Sequence, residues 1–120
     1  MRLCVQYALT YPERIDSPIK ELDLFEVGSL TFAKPDTEVF PLLSLAFRAL
    51  RDGGAMPAIL NAANEIAVKA HLEDRLEFYR IAEVVTESYE RLLCAKSYTI
   101  LDDIISSDRE ARRIAESLIG

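Results

Sequence analysis

The sequence has little of what a self-contained enzyme needs. Its 120 residues include no tryptophan, one histidine, two cysteines and four glycines. Four glycines could hardly build a phosphate cradle, and no GxGxxG, P-loop, HExxH or nucleophile-elbow motif occurs. Cys4 and Cys94 lie far apart without CxxC spacing, so we expect reduced, structural thiols with the burial that is usual for free cysteine. The residues by themselves therefore predict no catalytic group and no metal site.

Charge and hydropathy exclude two classes of partner. The formal net charge is -6, and the 14 lysines and arginines are scattered along the chain. A nucleic-acid surface needs clustered basic side chains, so no nucleic-acid partner is expected. No apolar run approaches the roughly 20 residues that cross a bilayer, and the N-terminus lacks the apolar centre of a signal peptide. We therefore predict a cytoplasmic protein with no membrane contact.

The first third of the chain has the composition of a connecting segment. Between residues 3 and 11, apolar and polar side chains alternate with the period of a half-buried strand, and a short helix is the alternative. Residues 29–32, which lie between Gly28 and Pro35, are predicted to form a short strand because threonine and phenylalanine favour a pleated surface. So short a strand needs a partner strand from elsewhere.

From residue 36 onward the apolar spacing becomes that of helices. Pro41 predicts the start of one helix and Gly53 its end, with a buried stripe made by Leu42, Leu45, Ala46, Ala49 and Leu50. Pro57 opens a second helix that runs to about Glu73, and its stripe consists of Ile59, Leu60, Ala63, Ile66, Ala67 and Ala70. On this second face the alanines would let a neighbouring helix approach closely.

Two further helices complete the predicted architecture. A third helix is expected from about Phe78 to Leu93, followed by a short helical turn after Thr99. Ser107 and Glu110 have the spacing of a capping box, which predicts the start of a last helix. Because each apolar stripe must be buried against another, we predict a mainly α fold with a C-terminal helical bundle, preceded by an extended linker with a short β-strand.

The single histidine and one acidic pair have ordinary structural interpretations. His71 lies near the end of the second predicted helix, so a surface histidine is favoured over a metal ligand that would need further ligands from elsewhere. Asp102 and Asp103 are adjacent and would point about 100° apart on a helix. They are therefore interpreted as charges at a helix terminus and not as a shared carboxylate site.

Asn61, Asn64 and Glu65 form the most informative polar set. Asn61 is three and four residues before the other two, so these side chains share one face of a helix. Buried amides require hydrogen-bond partners, and we expect these partners to be backbone groups of the incoming linker or of helix ends. The set is thus predicted to clamp the structure, with direct ligand binding as the alternative.

Four segments, taken in order, resemble one family. They are residues 1–3 with 6–8, residues 22–25, residues 29–32 with 35–36, and the Leu-Asn-Ala-Ala-Asn-Glu run at 60–65. Together they are similar to the C-terminal portion of 1-deoxy-D-xylulose 5-phosphate reductoisomerases, over essentially all 120 residues. Cys4 and Glu21 replace prolines that are common in that family, and Leu43 lies in a stretch where a cysteine is frequent.

The resemblance implies a division of the chain and of the chemistry. Residues 1–35 would be the end of the catalytic domain and a linker whose opening segment is a short helix, and residues 36–120 the C-terminal helical bundle domain. The complete enzyme would be an NADP-dependent oxidoreductase and isomerase of non-mevalonate isoprenoid biosynthesis, using NADPH with Mg or Mn, and a homodimer. Its upstream NADPH-binding and catalytic domains would be the partners of this chain, so the chain alone is predicted to be inactive. Met1 matches a methionine near the cofactor and is the only residue with an expected cofactor-binding role.

The alternative hypothesis, from a different functional class, is that the chain is a free-standing helical interaction module. In that case the linker segment would pair with the sheet edge of a separate partner protein. Such a module should be monomeric until its partner arrives, whereas a fragment should expose Leu24, Phe25, Leu30 and Phe32 and self-associate.

Overall fold

The computed structural model describes residues 2–17 and 19–120, which are mainly helical and contain no strand. The chain forms two compact units, Met1–Lys34 and Pro35–Gly120. The helices are α1 (Arg2–Thr10), α2 (Leu24–Val27), α3 (Pro41–Asp52), α4 (Met56–Leu72), α5 (Arg80–Arg91), a 3₁₀ helix (Leu93–Ser97) and α6 (Leu101–Ile119). The predicted mainly α class is confirmed. Among the described residues, no helix has both the length and the apolar character of a membrane crossing.

The opening segment is the helix α1, so the strand suggested by the alternating pattern is wrong and the short-helix interpretation is confirmed. The Gln6 amide donates hydrogen bonds to the carbonyl oxygens of Ile15 at 3.0 Å and Asp16 at 3.1 Å, which folds the following chain back beside the helix. A strand would have left its backbone groups without a partner here, whereas a helix pairs them internally. The alternation of apolar and polar residues does not report which of the two structures can pair the backbone groups.

Residues 29–32 have no regular secondary structure in the described part of the chain, so the short strand predicted there does not form. A strand is stabilised by hydrogen bonds to a neighbouring strand, and the described residues supply none. The preceding turn is better defined, because the Asp23 carboxylate accepts hydrogen bonds from the amides of Phe25 and Glu26 and so caps the one-turn helix α2.

The bundle is built around α4, which packs against α3, α5, α6 and the 3₁₀ helix. Its predicted stripe is confirmed, since Ile59, Ala63, Ala67 and Ala70 are fully buried, and Leu60 and Ile66 are partly buried. Alanine leaves only a methyl group between two helix backbones, so the neighbours of α4 can approach closely. The core continues into α5 through Val84, Val85 and Tyr89 and into α6 through Ala111 and Ala115.

Two predictions for the bundle are wrong. Leu50 belongs to the apolar pattern of α3 but is 70% exposed, because the core side of that helix is centred on Leu45 and Ala49. Ser107 does not begin a helix, since α6 is continuous from Leu101 to Ile119. The Ser107 hydroxyl donates instead to the carbonyl of Asp103 at 2.8 Å, a bond that satisfies a serine within a helix.

The turn between α3 and α4 requires a glycine at position 54. Gly53 ends α3 by donating to the Ala49 carbonyl at 3.0 Å, and the amide of Ala55 donates to the Ala95 carbonyl at 3.1 Å. Gly54 lies between them with a φ of +55°, and a Cβ atom there would overlap the backbone carbonyls of Ala95 and Lys96. The absence of a side chain at Gly54 therefore allows the turn to dock on the 3₁₀ helix.

We predict that Gly54→Ala destabilises the chain more than Gly53→Ala. Both glycines have positive φ, but the space around Gly53 is open, so that variant carries only the conformational cost of about 1–3 kcal/mol. Gly54→Ala adds overpacking against rigid backbone, worth about another 1–3 kcal/mol. Urea unfolding followed by circular dichroism measures both free energies. Equal losses in the two variants would show that the contact with the 3₁₀ helix does not constrain this position.

Candidate functional site

The one expected cofactor-binding residue, Met1, lies outside the described residues. The other polar residues singled out from the sequence lie in the bundle. The bundle has three polar features: a clamp between α4 and α6, a groove beside it, and a lock at the end of α3 that the sequence did not indicate.

The clamp is centred on Glu65. Asn61 donates its side-chain amide to one Glu65 oxygen at 3.0 Å, and the Arg112 guanidinium of α6 donates to the other at 2.8 Å. Arg112 also donates to Asp108 at 2.8 Å. The hydrogen bond from Arg112 and then that from Asn61 lower the pKa of Glu65, and the bonds to Asp108 and Glu65 raise the pKa of Arg112.

Glu65 connects α4 to α6, but the prediction of buried amides bonded to backbone groups is wrong, because Asn61 is exposed and donates to Glu65 on its own helix, and the partner on α6 is the side chain of Arg112. The physical reason is charge. A carboxylate on the surface of α4 finds its strongest hydrogen bonds with a guanidinium, and the close approach of α6 places Arg112 within reach.

Asn64 occupies a different environment from its two neighbours. It is partly buried and, within residues 2–17 and 19–120, forms no side-chain hydrogen bond. With Asn61 it lines a groove of about 250 Å³ between α3 and α4, whose other lining residues are Leu42, Ala46, Pro57, Leu60 and Val85. Asn64 is therefore an amide with both its donor and its acceptor available at the mouth of an apolar hollow.

The lock is made by Asp52, at the last position of α3. The hydroxyl of the fully buried Tyr89 donates to Asp52 Oδ2 at 2.7 Å, and Lys96 Nζ lies 3.0 Å from Asp52 Oδ1. The Arg48 guanidinium, which pairs with Glu90, also lies 5.3 Å from the centre of the Tyr89 ring. Three elements, α3, α5 and the 3₁₀ helix, thus meet at one carboxylate.

The electrostatics of the lock are those of a structural hydrogen bond. The Tyr89 hydrogen bond, followed by that from Lys96, lowers the pKa of Asp52. Burial, followed by the bond to Asp52, raises the pKa of Tyr89, so its hydroxyl stays protonated and remains a donor. Sequence reasoning missed this contact. The available signal was Tyr89 on an apolar stripe, because a buried tyrosine hydroxyl requires a partner.

His71 and the acidic pair have the positions that the sequence predicted. His71 is partly buried in the last turn of α4, and its Nδ1 lies 2.9 Å from the Leu76 carbonyl oxygen, which holds the loop before α5. Its ring also makes an edge contact with Phe78, with 5.7 Å between centroids. Asp102 and Asp103 lie in the first turn of α6, where the helix dipole favours negative charge.

The two cysteines differ from expectation in one respect. Both are free thiols, as predicted, but Cys4 and Cys94 are exposed and not buried. Cys94 points outward from the 3₁₀ helix while the neighbouring Ala95 fills the core position.

Among the histidines, cysteines, aspartates and glutamates that the structure describes, no three side chains are placed to hold a metal ion.

We predict that Tyr89→Phe weakens the lock while keeping the ring in the core. The loss of a buried hydrogen bond to Asp52 should lower the free energy of unfolding by about 1–2 kcal/mol at neutral pH. Tyr79→Phe is the matched control, because Tyr79 is exposed and its hydroxyl bonds to Glu77 at the surface. Urea unfolding should separate the two variants, and equal stabilities would contradict the lock.

The lock should also make stability depend on pH in the acid range. The folded pKa of Asp52 is below its unfolded value, so the stabilisation is complete above the unfolded carboxyl pKa of about 3.9 and is lost as the pH falls through the folded pKa. Tyr89→Phe removes the largest cause of the lowered pKa, so its acid unfolding midpoint should move to higher pH. An unchanged midpoint, measured by circular dichroism against Tyr79→Phe, would contradict this assignment.

Comparison with known proteins identifies the family. A family model described as the DXP reductoisomerase C-terminal domain matches residues 1–114. The chain is 48% identical over 119 residues to 1-deoxy-D-xylulose 5-phosphate reductoisomerase of Acetivibrio thermocellus, and 47% identical over 121 residues to that of Aromatoleum aromaticum. Each alignment covers 99% of this chain, but only 31% and 29% of the respective relative.

Solved structures give the same result. The reductoisomerase of Zymomonas mobilis in complex with NADPH matches with a TM-score of 0.84 and 37% identity, covering 98% of this chain and 31% of that one. A DOX-P reductoisomerase in complex with NADPH, fosmidomycin and magnesium matches with a TM-score of 0.81 and 38% identity, covering 94% of this chain and 30% of that one. The chain thus spans about 30% of the length of the relatives that it matches. It belongs to the 1-deoxy-D-xylulose 5-phosphate reductoisomerase family and corresponds to the C-terminal domain of that family.

Proposed function

We propose that the chain works as the C-terminal structural part of a longer reductoisomerase. The complete enzyme would convert 1-deoxy-D-xylulose 5-phosphate to 2-C-methyl-D-erythritol 4-phosphate with NADPH and a divalent metal, Mg or Mn, in non-mevalonate isoprenoid biosynthesis. The observation that carries this proposal is the match of the family model to residues 1–114. The chain spans about 30% of the length of its relatives, which places it in a longer protein under this proposal. The similar solved proteins that hold NADPH and magnesium support the cofactor assignment.

The chemistry would lie outside these 120 residues. NADPH supplies a hydride and the metal polarises substrate oxygens when both are bound. The upstream NADPH-binding and catalytic domains would hold these groups, and the chain alone would be inactive. Met1 would be its only residue near the cofactor, as the resemblance implies. The complete enzyme would be a cytoplasmic homodimer, and the two free thiols suit a reducing compartment.

Residues 1–35 would be the end of the catalytic domain and the linker, and residues 36–120 the C-terminal helical bundle domain. The exposed apolar side chains of the linker support this division. Phe25 is 97% and Phe32 90% exposed, and Leu22, Leu24 and Leu30 are exposed as well. Apolar side chains clustered this densely along a segment are typical of a surface that another part of a protein covers. In the complete enzyme, residues 29–32 would form the predicted strand by pairing with a sheet edge of the upstream domains.

The bundle would contribute rigidity. The Asp52 lock and the glycine turn both hold the junction of α3, α4 and the 3₁₀ helix, and a rigid support keeps catalytic groups within the small tolerance that chemistry needs. The bundle thus acts on the reaction by positioning groups that lie in the upstream domains.

Split-protein complementation tests this division of labour. The chain alone, given the substrate and Mg²⁺, should not oxidise NADPH, whereas co-expression with the remaining part of the enzyme as a second polypeptide should restore oxidation. Gly54→Ala should reduce the restored activity because it destabilises the bundle, while Tyr79→Phe should retain it. NADPH absorbance measures both. Oxidation by the chain alone, or full restoration by a remainder that lacks the chain, would contradict the proposal.

Self-association separates the fragment from a free-standing module. We expect the isolated chain to form oligomers whose size rises with concentration in sedimentation velocity, and the double variant Phe25→Ser/Phe32→Ser to shift it toward monomer. Leu72→Ser is the control, because Leu72 is an exposed single leucine at the end of α4. A chain that stays monomeric at all concentrations, with no change in the double variant, would support the module instead.

A further inference from the structure

The helix α3 has more apolar surface than the bundle uses. Its polar side chains are confined to one side, where Arg48 and Asp52 pair with groups of α5 and the 3₁₀ helix. With 3.6 residues per turn, the apolar positions cover an arc of about 200°, twice the width that a helix at a protein surface needs to bury one face. They are Leu42, Leu43, Leu45, Ala46, Phe47, Ala49 and Leu50.

Only part of that arc faces the core. Leu45 and Ala49 are buried, and beyond them on the helix surface come Leu42 and Ala46, which line the groove between α3 and α4. Beyond the groove the arc continues through exposed leucines and Phe47, which is 56% exposed. The groove is therefore the inner edge of an apolar surface that continues outward along α3.

The polar groups that line the groove are the side-chain amides of Asn61 and Asn64. Within the part of the chain that the structure describes, the Asn64 amide has a free donor and a free acceptor, and the Asn61 amide nitrogen donates to Glu65 while its oxygen has no partner. Ala46 and Pro57 are small, and they leave the hollow open above Val85. Amides at the edge of an apolar hollow match the N–H and C=O groups of an extended backbone that places a side chain in the hollow.

Three other occupants fit less well. A volume of about 250 Å³ is below the roughly 300–1,000 Å³ of small-molecule sites. A helix has its backbone groups paired internally and would leave the two amides without use. A second copy would bring a hollow to a hollow, because a two-fold interface joins the same surface of each subunit, and the two concave surfaces could not fill one another.

We infer that the groove seats an extended segment of the same polypeptide, from the part of the complete protein that lies outside these 120 residues. This rests on the proposal that the chain is part of a longer enzyme, since its relatives are about three times as long. A covalently attached segment reaches the groove at an effective concentration on the order of millimolar, so it is favoured over any separate partner. The part of the complete protein that carries this segment would also cover the outer face of α3.

Photo-crosslinking in the complete protein identifies the occupant. A benzophenone amino acid replaces Leu42 in the groove wall, and the same replacement at Ser44, on the polar side of α3, is the control. We expect irradiation of the Leu42 variant to link the groove to a peptide upstream of residue 1 within one polypeptide, with about tenfold less product for the Ser44 variant. A link to a second copy, a link within residues 1–120, or no link would overturn the inference.

Filling the groove gives an independent test. Ala46→Leu occupies the hollow, and Ser44→Leu adds the same side chain on the polar side of α3. In the 120-residue chain, Ala46→Leu should fold and unfold at the Tm of the unmodified chain within a few degrees. In the complete protein, Ala46→Leu should lower the Tm by more than it does in the 120-residue chain, and it should reduce the yield of the Leu42 crosslink about tenfold. Ser44→Leu should have neither effect. Equal effects of the two leucine variants in the complete protein would overturn the inference.

The two proposals fail separately. Crosslinking does not depend on turnover, so a complete protein that crosslinks as expected but does not oxidise NADPH would contradict the proposed function alone. An active enzyme with no crosslink from the groove would contradict the segment alone.

Discussion

The bundle depends on how closely its helices can approach α4. The contact surface of α4 consists largely of side chains no bigger than a methyl group, namely Ala62, Ala63, Ala67 and Ala70, all of them fully buried. In an interior packed to crystal-like density, a larger side chain forces backbone shifts that cost about 1–3 kcal/mol. The spacing that these alanines allow places Arg112 beside Glu65. It also brings the turn between α3 and α4 onto the 3₁₀ helix.

The two polar connections of the bundle differ in their physical weight. Glu65 and Arg112 meet at the surface, where water and salt screen the attraction. Asp52 receives a hydrogen bond from a hydroxyl that has no contact with water, and this bond cannot be lost without leaving a buried polar group unpaired. That end of α3, next to the glycine turn, is therefore held by both sterics and hydrogen bonding. The opposite side of the helix, along the groove, has neither constraint.

Apolar surface outside the bundle core remains open to solvent. It occurs along residues 22–32, where Phe25 is 97% and Phe32 90% exposed, and on the outer arc of α3, where Leu50 is 70% exposed. In the longer enzyme that we propose, the part upstream would cover them, since about 70% of the length of the relatives lies outside the region that this chain matches. The side chains of the bundle core, by contrast, are buried by other residues of the bundle.

Much of this protein follows from the sequence by itself. Pro41 and Gly53 mark the ends of α3 because proline has no amide to donate and glycine tolerates positive φ. The apolar stripe of α4 and the ordered family segments are equally local. Asn61 and Glu65 could be placed on one helix face from spacing alone, but the contact of Glu65 with Arg112 could not.

Only the tertiary structure decided which groups meet. Residues 3–11 alternate like a strand, yet residues 2–10 form the helix α1, and only the folded chain shows that Gln6 donates to the carbonyl of Ile15. Ser107 has the spacing of a cap, yet it lies inside α6. Tyr89 and Asp52 are 37 residues apart, and no pattern joins them. The periodicity of apolar residues predicts which side chains share a face of a helix. Which neighbour that face contacts depends on packing between residues that are distant in the sequence, and local patterns carry no information about it.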